Sequence, residues 1–283
     1  MSGLVGASDA PVTKLPLWRM IRLSYATFFE HFGDGLRIAA IWLPPVAILA
    51  AIGGWLQAVL LAELTARPRP QIDLSQPAHL LMLGYALNLL QTIAAVSSAV
   101  AWHRMLLLKE GPTSSSGRNI ATRPFWRYVG ASLLIGLLAA IPPAAVLVPM
   151  AALDLLPAAG RTPPVEIAVI ALAYAVSVVL VMRLSLLLPA RATGNLTLSL
   201  KDAWQRTHGN VFRLFLGITV CALAPFAIVD IIFFALTIVP FAGGLYLIQW
   251  AAANTVALCG WLLFWPVWVC FLSHAYRQLL PDA

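Results

Sequence analysis

Pro225-Phe226-Ala227-Ile228-Val229-Asp230-Ile231-Ile232-Phe233-Phe234 opens the stretch that decides the fold. Asp230 is its one charged residue, and from Ile231 to Tyr276 the chain has no Lys, Arg, Asp or Glu. A water-soluble domain does not carry so long an uncharged run. The chain reads instead as an integral membrane protein. A carboxylate inside such a run costs about 2.5–3.5 kcal/mol on insertion scales, which makes Asp230 a functional candidate by default.

The composition agrees. Of 283 residues, 61% are hydrophobic and 10% charged, against about 25% charged in a soluble domain. A spanning helix needs about 20 apolar residues to cross about 30 Å of hydrocarbon. Six segments qualify, at roughly 38–62, 78–103, 128–153, 167–190, 214–239 and 247–275. Their apolar runs are continuous, and lipid requires each segment to satisfy its own backbone, so helices are expected. The expected fold is all-α: six transmembrane helices in three hairpins, forming one domain over 15–280 after a disordered 1–14.

The net charge of +7 is distributed unevenly. With six spans, 15 of the 18 Lys and Arg residues fall on one side and 3 (Arg67, Arg69 and Arg161) on the other. The positive-inside rule puts the basic side, and both termini, in the cytoplasm of a bacterial inner membrane. Anionic headgroups are the matching partner for that charge. Nucleic acid is not expected, because no basic-aromatic motif or soluble module accompanies it. A membrane-protein partner or a homo-oligomer remains open. Residues 1–13 have no apolar core of a signal peptide.

Two amphipathic helices are expected at the cytoplasmic face. In residues 15–33, Leu17, Ile21, Tyr25, Phe28 and Phe32 recur at spacings of three and four, with Trp18 as an interfacial anchor. Gly33-Asp34-Gly35 is expected to break this helix from the first span. The second begins at Ser199-Leu200-Lys201-Asp202, a capping box with Asp in place of Glu, and ends at His208-Gly209-Asn210. Aligned on Gly33 and Gly209, the two share Arg37 with Arg213 and Phe28 with Trp204. The even spans share an exit: Arg104-Met105-Leu106-Leu107, Arg183-Leu184-Ser185-Leu186 and Arg277-Gln278-Leu279-Leu280. The odd spans carry Pro44-Pro45, Pro142-Pro143 and Pro225. This pattern suggests a repeated hairpin, as in many transport folds.

The segment Asp202-Ala203-Trp204-Gln205-Arg206-Thr207-His208-Gly209-Asn210-Val211-Phe212-Arg213-Leu214, with the exit from Arg183 to Ala190, resembles a group of bacterial inner-membrane proteins. These are the YciC-like proteins and the membrane domain attached to some glycerophosphodiester phosphodiesterases. The resemblance implies a six-helix membrane domain. It implies no activity, because the phosphodiesterase chemistry of that group lies in a separate barrel absent from this sequence. No catalytic residue carries over.

Asp230 lies at a depth comparable to Asn254 and Thr255 on the sixth span, and to Tyr85, Asn88 and Thr92 on one face of the second. These six form a candidate intramembrane polar cluster, either a proton or solute site or a set of interhelical hydrogen bonds. Arg183, Arg191, Arg206 and Arg213 are candidate contacts for anionic lipid, with snorkelling as the alternative for Arg183. Trp261, Trp265 and Trp268 form an aromatic face for lipid or helix contact. Cys221, Cys259 and Cys270 fall inside spans, so a disulfide framework is not expected. His31, His103, His208 and His274 project to the cytoplasmic side and His79 to the other, without metal-ligand spacing, so no metal or cofactor is expected. No hydrolase elbow, phosphate loop or dinucleotide fingerprint is present. A non-enzymatic role, supporting or regulating a partner or organising lipid, is the first expectation. A small-solute or ion transporter is the alternative.

The topology has a direct test. Reporters fused at Ser115 and Gly160 should report opposite sides of the membrane, and the same side for both contradicts six spans.

Overall fold

The computed structural model describes residues 14–66, 77–111, 118–152, 164–238 and 244–281. Of the stretch 1–14 expected to be disordered, all but Lys14 lies outside the described residues, as do 67–76, 112–117, 153–163 and 239–243. Among the described residues every regular element is helical. In chain order these are α1 Leu17–Glu30, α2 Phe32–Ala39, α3 Leu43–Ala66, α4 Pro77–Leu108, α5 Arg123–Ala152 and α6 Pro164–Leu184. The rest are α7 Leu187–Thr193, α8 Leu200–Arg206, α9 Val211–Thr237, α10 Gly244–Phe264 and α11 Pro266–Leu279. A short 3₁₀ turn, Arg118–Ala121, precedes α5. Among the described residues five helical stretches are long and apolar enough to cross a membrane, or six if α2 and α3, bent by 66°, make one span. The chain is a multi-pass membrane protein.

The breaks have local causes. The expected break at Gly33-Asp34-Gly35 is not found: those residues lie inside α2, and the chain bends at His31 and again at 40–42. Asp34 sits in the first turn of α2, where a carboxylate suits the helix dipole, and pairs with Arg37 at 3.3 Å. Gly35 is there for packing, since a Cβ would collide with the Trp102 ring. Pro44 and Pro45 sit in the first turn of α3, where a missing N–H removes no helical bond. The expected span 167–190 stops at Leu184 and resumes as α7. The expected span 247–275 divides at Trp265, with Pro266 starting α11.

Two expected caps are present. Ser199 accepts from Asp202 N at 3.1 Å, and Asp202 accepts from Ser199 N at 3.0 Å. Gly209 takes a positive φ of 74° after α8. Gly33 is helical, so the likeness between the segments around Gly33 and Gly209 does not extend to the backbone.

The molecule has two unlike halves. One end is densely packed. It joins α1, α7 and α11 to the C-terminal ends of α4 and α6 and the N-terminal ends of α5 and α9. The stretch Leu245–Leu279 is 35 residues long, about 50 Å of helix, so it overshoots the hydrocarbon. The excess is α11, whose Val267, Cys270, Phe271, Leu272 and Ala275 are fully buried at the centre of this end. α1 docks on α11 and α9 through Met20, Ile21, Ser24, Thr27 and Phe28, and Phe28 stacks on Trp102 of α4. The other end is open. There α5 and α6 pair with each other, α3 packs on α10, and α10 packs on α9. In the most apolar window of α5 only 11% of residues are buried. Leu133, Leu137, Ile141 and Val148 face outward, as lipid-facing residues do. Cys221, Cys259 and Cys270 are free thiols.

Phe271 fixes α11 against α9 by filling the space over Gly217. Gly217→Val overpacks this contact and should lower stability by about 1–3 kcal/mol. Gly130→Ala, at an exposed position inside α5 with nothing within 4 Å of the added carbon, should hold or raise stability. Thermal unfolding in detergent compares them, and equal behaviour of the two contradicts the packing described.

Candidate functional site

Asp230 lies on the seam between α9 and α10. On α9, Phe226 precedes it by four residues and Phe233 follows by three, so all three share a flank. Phe226 stacks on Trp261 with ring centroids 4.9 Å apart, and Phe233 meets Trp250 edge-on at 6.1 Å. Trp265 and Trp268 continue the aromatic run, edge to face at 5.1 Å. Trp261 and Trp265 therefore serve helix contact, through Phe226. Between the two aromatic contacts Asp230 is half-buried, and among the described residues its side chain has no hydrogen bond or ion pair.

The other five polar candidates are placed differently. Asn254 Nδ2 donates to Trp250 O at 3.0 Å, and its side chain abuts Gly54 of α3. Thr255 Oγ1 donates to Ala251 O at 2.8 Å and reaches Ala47 O of α3 at 3.5 Å. Asn88 Nδ2 donates to Gly84 O at 2.8 Å, and Thr92 Oγ1 to Asn88 O at 2.7 Å. Tyr85, Asn88 and Thr92 share an exposed face of α4, where Tyr85 is 73% exposed. Asn254 and Thr255 come together against α3, and no hydrogen bond joins Asp230 to any of the five. The cause is local: the carbonyl four residues back is the nearest acceptor for an Asn or Thr in a helix.

The packed end gathers the basic residues. Arg104, on the exit of α4, binds both carboxylate oxygens of Glu110 and donates from Nη1 to Ala192 O of α7 at 3.2 Å. Arg183, on the exit of α6, lies 4.2 Å over the Trp204 ring and donates to Trp204 O of α8 at 3.3 Å. Arg277, on the exit of α11, donates to Leu106 O of α4. In each case the acceptor lies in the last turn of another helix, where carbonyls lack intrahelical partners and a cation suits the dipole. Thr207 returns the bond to α6, donating to Arg183 O at 3.1 Å. The shared exit visible in the sequence is thus a set of helix-end caps.

Among the expected lipid contacts, Arg183 and Arg191 have protein acceptors. Arg191 donates to Asn195 O at 2.8 Å and Leu198 O at 3.0 Å. Arg206 is exposed, and Arg213 has a buried Nη1 with no hydrogen-bond partner.

Several polar contacts had no clear signal in the sequence. His103, expected at the interface, is fully buried, with Nδ1 2.8 Å from the Ser273 hydroxyl. Asn210 Oδ1 accepts from Leu15 N at 2.9 Å, tying the N-terminal segment to the α8–α9 turn. Tyr25 donates to Val220 O at 3.0 Å, beside the Cys221 carbonyl that Pro225 deprives of its helical donor. Burial, and then the nearby Cys221, push the Tyr25 phenol up to about 12, so it stays a donor at neutral pH. The Ser199 hydroxyl and N–H hold the Asp202 carboxyl below its ordinary value. Among the described residues no group of three or more His, Cys, Asp or Glu is placed to hold a metal ion.

No family model, curated protein or solved structure matches the chain.

The lone carboxylate gives a clear test. Asp230 is half-buried in an apolar segment and has no partner among the described residues, so Asp230→Leu should be neutral or stabilising by about 1 kcal/mol. Asp230→Asn should fold like the parent. Loss of stability on Asp230→Leu, measured by thermal unfolding in detergent, would reveal a partner that this geometry lacks.

Proposed function

We propose that this chain is a non-enzymatic multi-pass protein of the bacterial inner membrane that organises lipid or supports or regulates a membrane partner. The packed, basic end is cytoplasmic, and both termini lie there. The likeness to the YciC-like group is consistent with this reading.

The observation that carries it is the outward face of α1. This helix buries one face on α11 and α9, yet its opposite face presents Trp18, Leu23 and Phe29 beside Arg19 and Arg22. Large apolar groups interleaved with cations and turned away from the protein suit the headgroup level of an anionic leaflet. Exposed Trp204 and Arg206 on α8 add to the same chemistry. The polar residues of the spans support no assembled path, because Asn88, Thr92, Asn254 and Thr255 bond to their own helices.

One observation favours the transporter alternative. Asp230 has no partner among the described residues, and an intramembrane carboxylate without one marks a candidate proton or cation site.

Purification from native membranes in mild detergent, with mass spectrometry of bound proteins and lipids, tests the proposal. Anionic phospholipid enriched over its bulk fraction, or a stoichiometric protein partner, is the expected result. Ion or solute flux in reconstituted vesicles that disappears in Asp230→Asn would overturn it in favour of transport. Turnover of a lipid substrate by the pure protein would overturn it in favour of an enzyme.

A further inference from the structure

Between the C-terminal ends of α4 and α11 and the turn after α7 lies an open cavity of about 850 Å³. That size falls within the range of roughly 300–1,000 Å³ common for small-molecule sites. Thr193, Asn195, Tyr276 and Arg277 line it with polar groups, and Leu107 and Leu280 supply apolar surface.

The polar side is held in place before any ligand arrives. α7 ends in a Schellman turn, with Gly194 at φ 84°, Gly194 N on Arg191 O at 3.2 Å and Asn195 N on Ala190 O at 2.9 Å. Arg191 grips the segment that follows through Asn195 O and Leu198 O. Asn195 then donates to the Tyr276 hydroxyl at 3.0 Å and accepts from Thr197 N and Oγ1 at 2.9 and 2.7 Å. Few of these groups must reorganise on binding, which lowers the cost of association.

Among the described residues that line the cavity, Arg277 carries the charge. Arg191 and Arg277 bond to neutral carbonyls, so their charges remain uncompensated by those bonds. Glu110 is held by Arg104. Arg277 is exposed at the cavity and uses Nη2 for Leu106 O, which leaves other guanidinium donors for a ligand. A guanidinium beside hydroxyl and amide groups suits phosphate oxygens. The leucines suit an alkyl portion.

We propose that this cavity binds the phosphate group of an amphiphilic anion, with the phosphate against Arg277 and Tyr276 and the aliphatic part along Leu107 and Leu280. The proposal rests on the lipid-organising reading above and gives it a site distinct from the outward face of α1. The same chemistry has two sources, an anionic phospholipid headgroup and a soluble phosphate compound.

The test is native mass spectrometry of the delipidated full chain in mild detergent. It is titrated with short-chain phosphatidylglycerol, short-chain phosphatidylcholine and inorganic phosphate. Thr197→Glu places a carboxylate at the cavity from an exposed position, Arg277→Gln removes the guanidinium, and Arg123→Gln, at an exposed position outside the cavity lining, is the control. Phosphatidylglycerol should bind in preference to phosphatidylcholine. Thr197→Glu and Arg277→Gln should each weaken it at least about tenfold, while Arg123→Gln leaves it unchanged. If Arg277→Gln fails to fold, Thr197→Glu decides. Displacement of phosphatidylglycerol by inorganic phosphate supports headgroup recognition. Phosphate binding that is sensitive to Thr197→Glu, without lipid binding, supports the soluble source. Phosphatidylglycerol binding that ignores Thr197→Glu, or equal binding of phosphatidylcholine, overturns this site and leaves the lipid-organising reading standing. Absence of any binding, with no anionic lipid retained from native membranes, overturns both.

Discussion

Backbone carbonyls that lose their helical donors must find others, and at the packed end of this protein arginines supply them. Arg104, Arg183 and Arg277 each leave one helix and cap the last turn of another, on α7, α8 and α4. A broken helix end is expensive near hydrocarbon, where water is scarce. These bonds let the helices stop at Thr193, Arg206 and Leu108 without orphaning the carbonyls they reach. They also place several positive charges at one end. The charge asymmetry read as topology therefore has a structural role as well.

The rest of the architecture follows from the contrast between the two ends. At the packed end, α11 is buried on nearly all sides and α1 closes over it, so specific packing holds the helices. Toward the other end the helices separate into α5 with α6, and α10 with α3 and α9. Lipid is as apolar as the outward leucines, so no hydrophobic force drives these groups together there. Small residues set the close approaches that do occur, with Gly54 against Asn254 and Gly260 against Val229. Polar residues in the open half mostly bond within their own helices. The groups equipped to recognise a ligand from outside therefore lie at the packed end: hydroxyls, an amide and exposed guanidinium.

The helical membrane class was legible from the long uncharged runs, which leave few other solutions. The Ser199–Asp202 capping box was legible because it depends on four consecutive residues. Breaks were harder to place. Gly33 and Gly35 read as breakers, but Gly35 answers to Trp102, a residue 67 positions away. The division at Trp265-Pro266 was hidden because Pro266 starts a second helix whose apolar pattern continues the first. At the site level, Asp230 stood out as a charge in an apolar run, and depth alone suggested Asn254, Thr255 and Asn88 as neighbours. Depth along a helix does not fix the azimuth of a side chain. Arg277 and Asn195 gave no comparable signal, because their roles arise from the meeting of α7 with the ends of α4 and α11. The shared Arg-containing exit was visible, but its meaning as a cap required knowing which helix end lay opposite.

The most direct test of this account is the unfolding free energy of Arg104→Gln in detergent, set beside Arg22→Gln on the exposed face of α1. The side chain of Arg104 is 23% exposed and bonds both Glu110 and Ala192 O. Its loss strands a carboxylate and a helix-end carbonyl together, and should cost about 2 kcal/mol, while Arg22→Gln costs close to nothing. Equal, negligible effects at both positions would contradict the claim that arginine caps hold the packed end together.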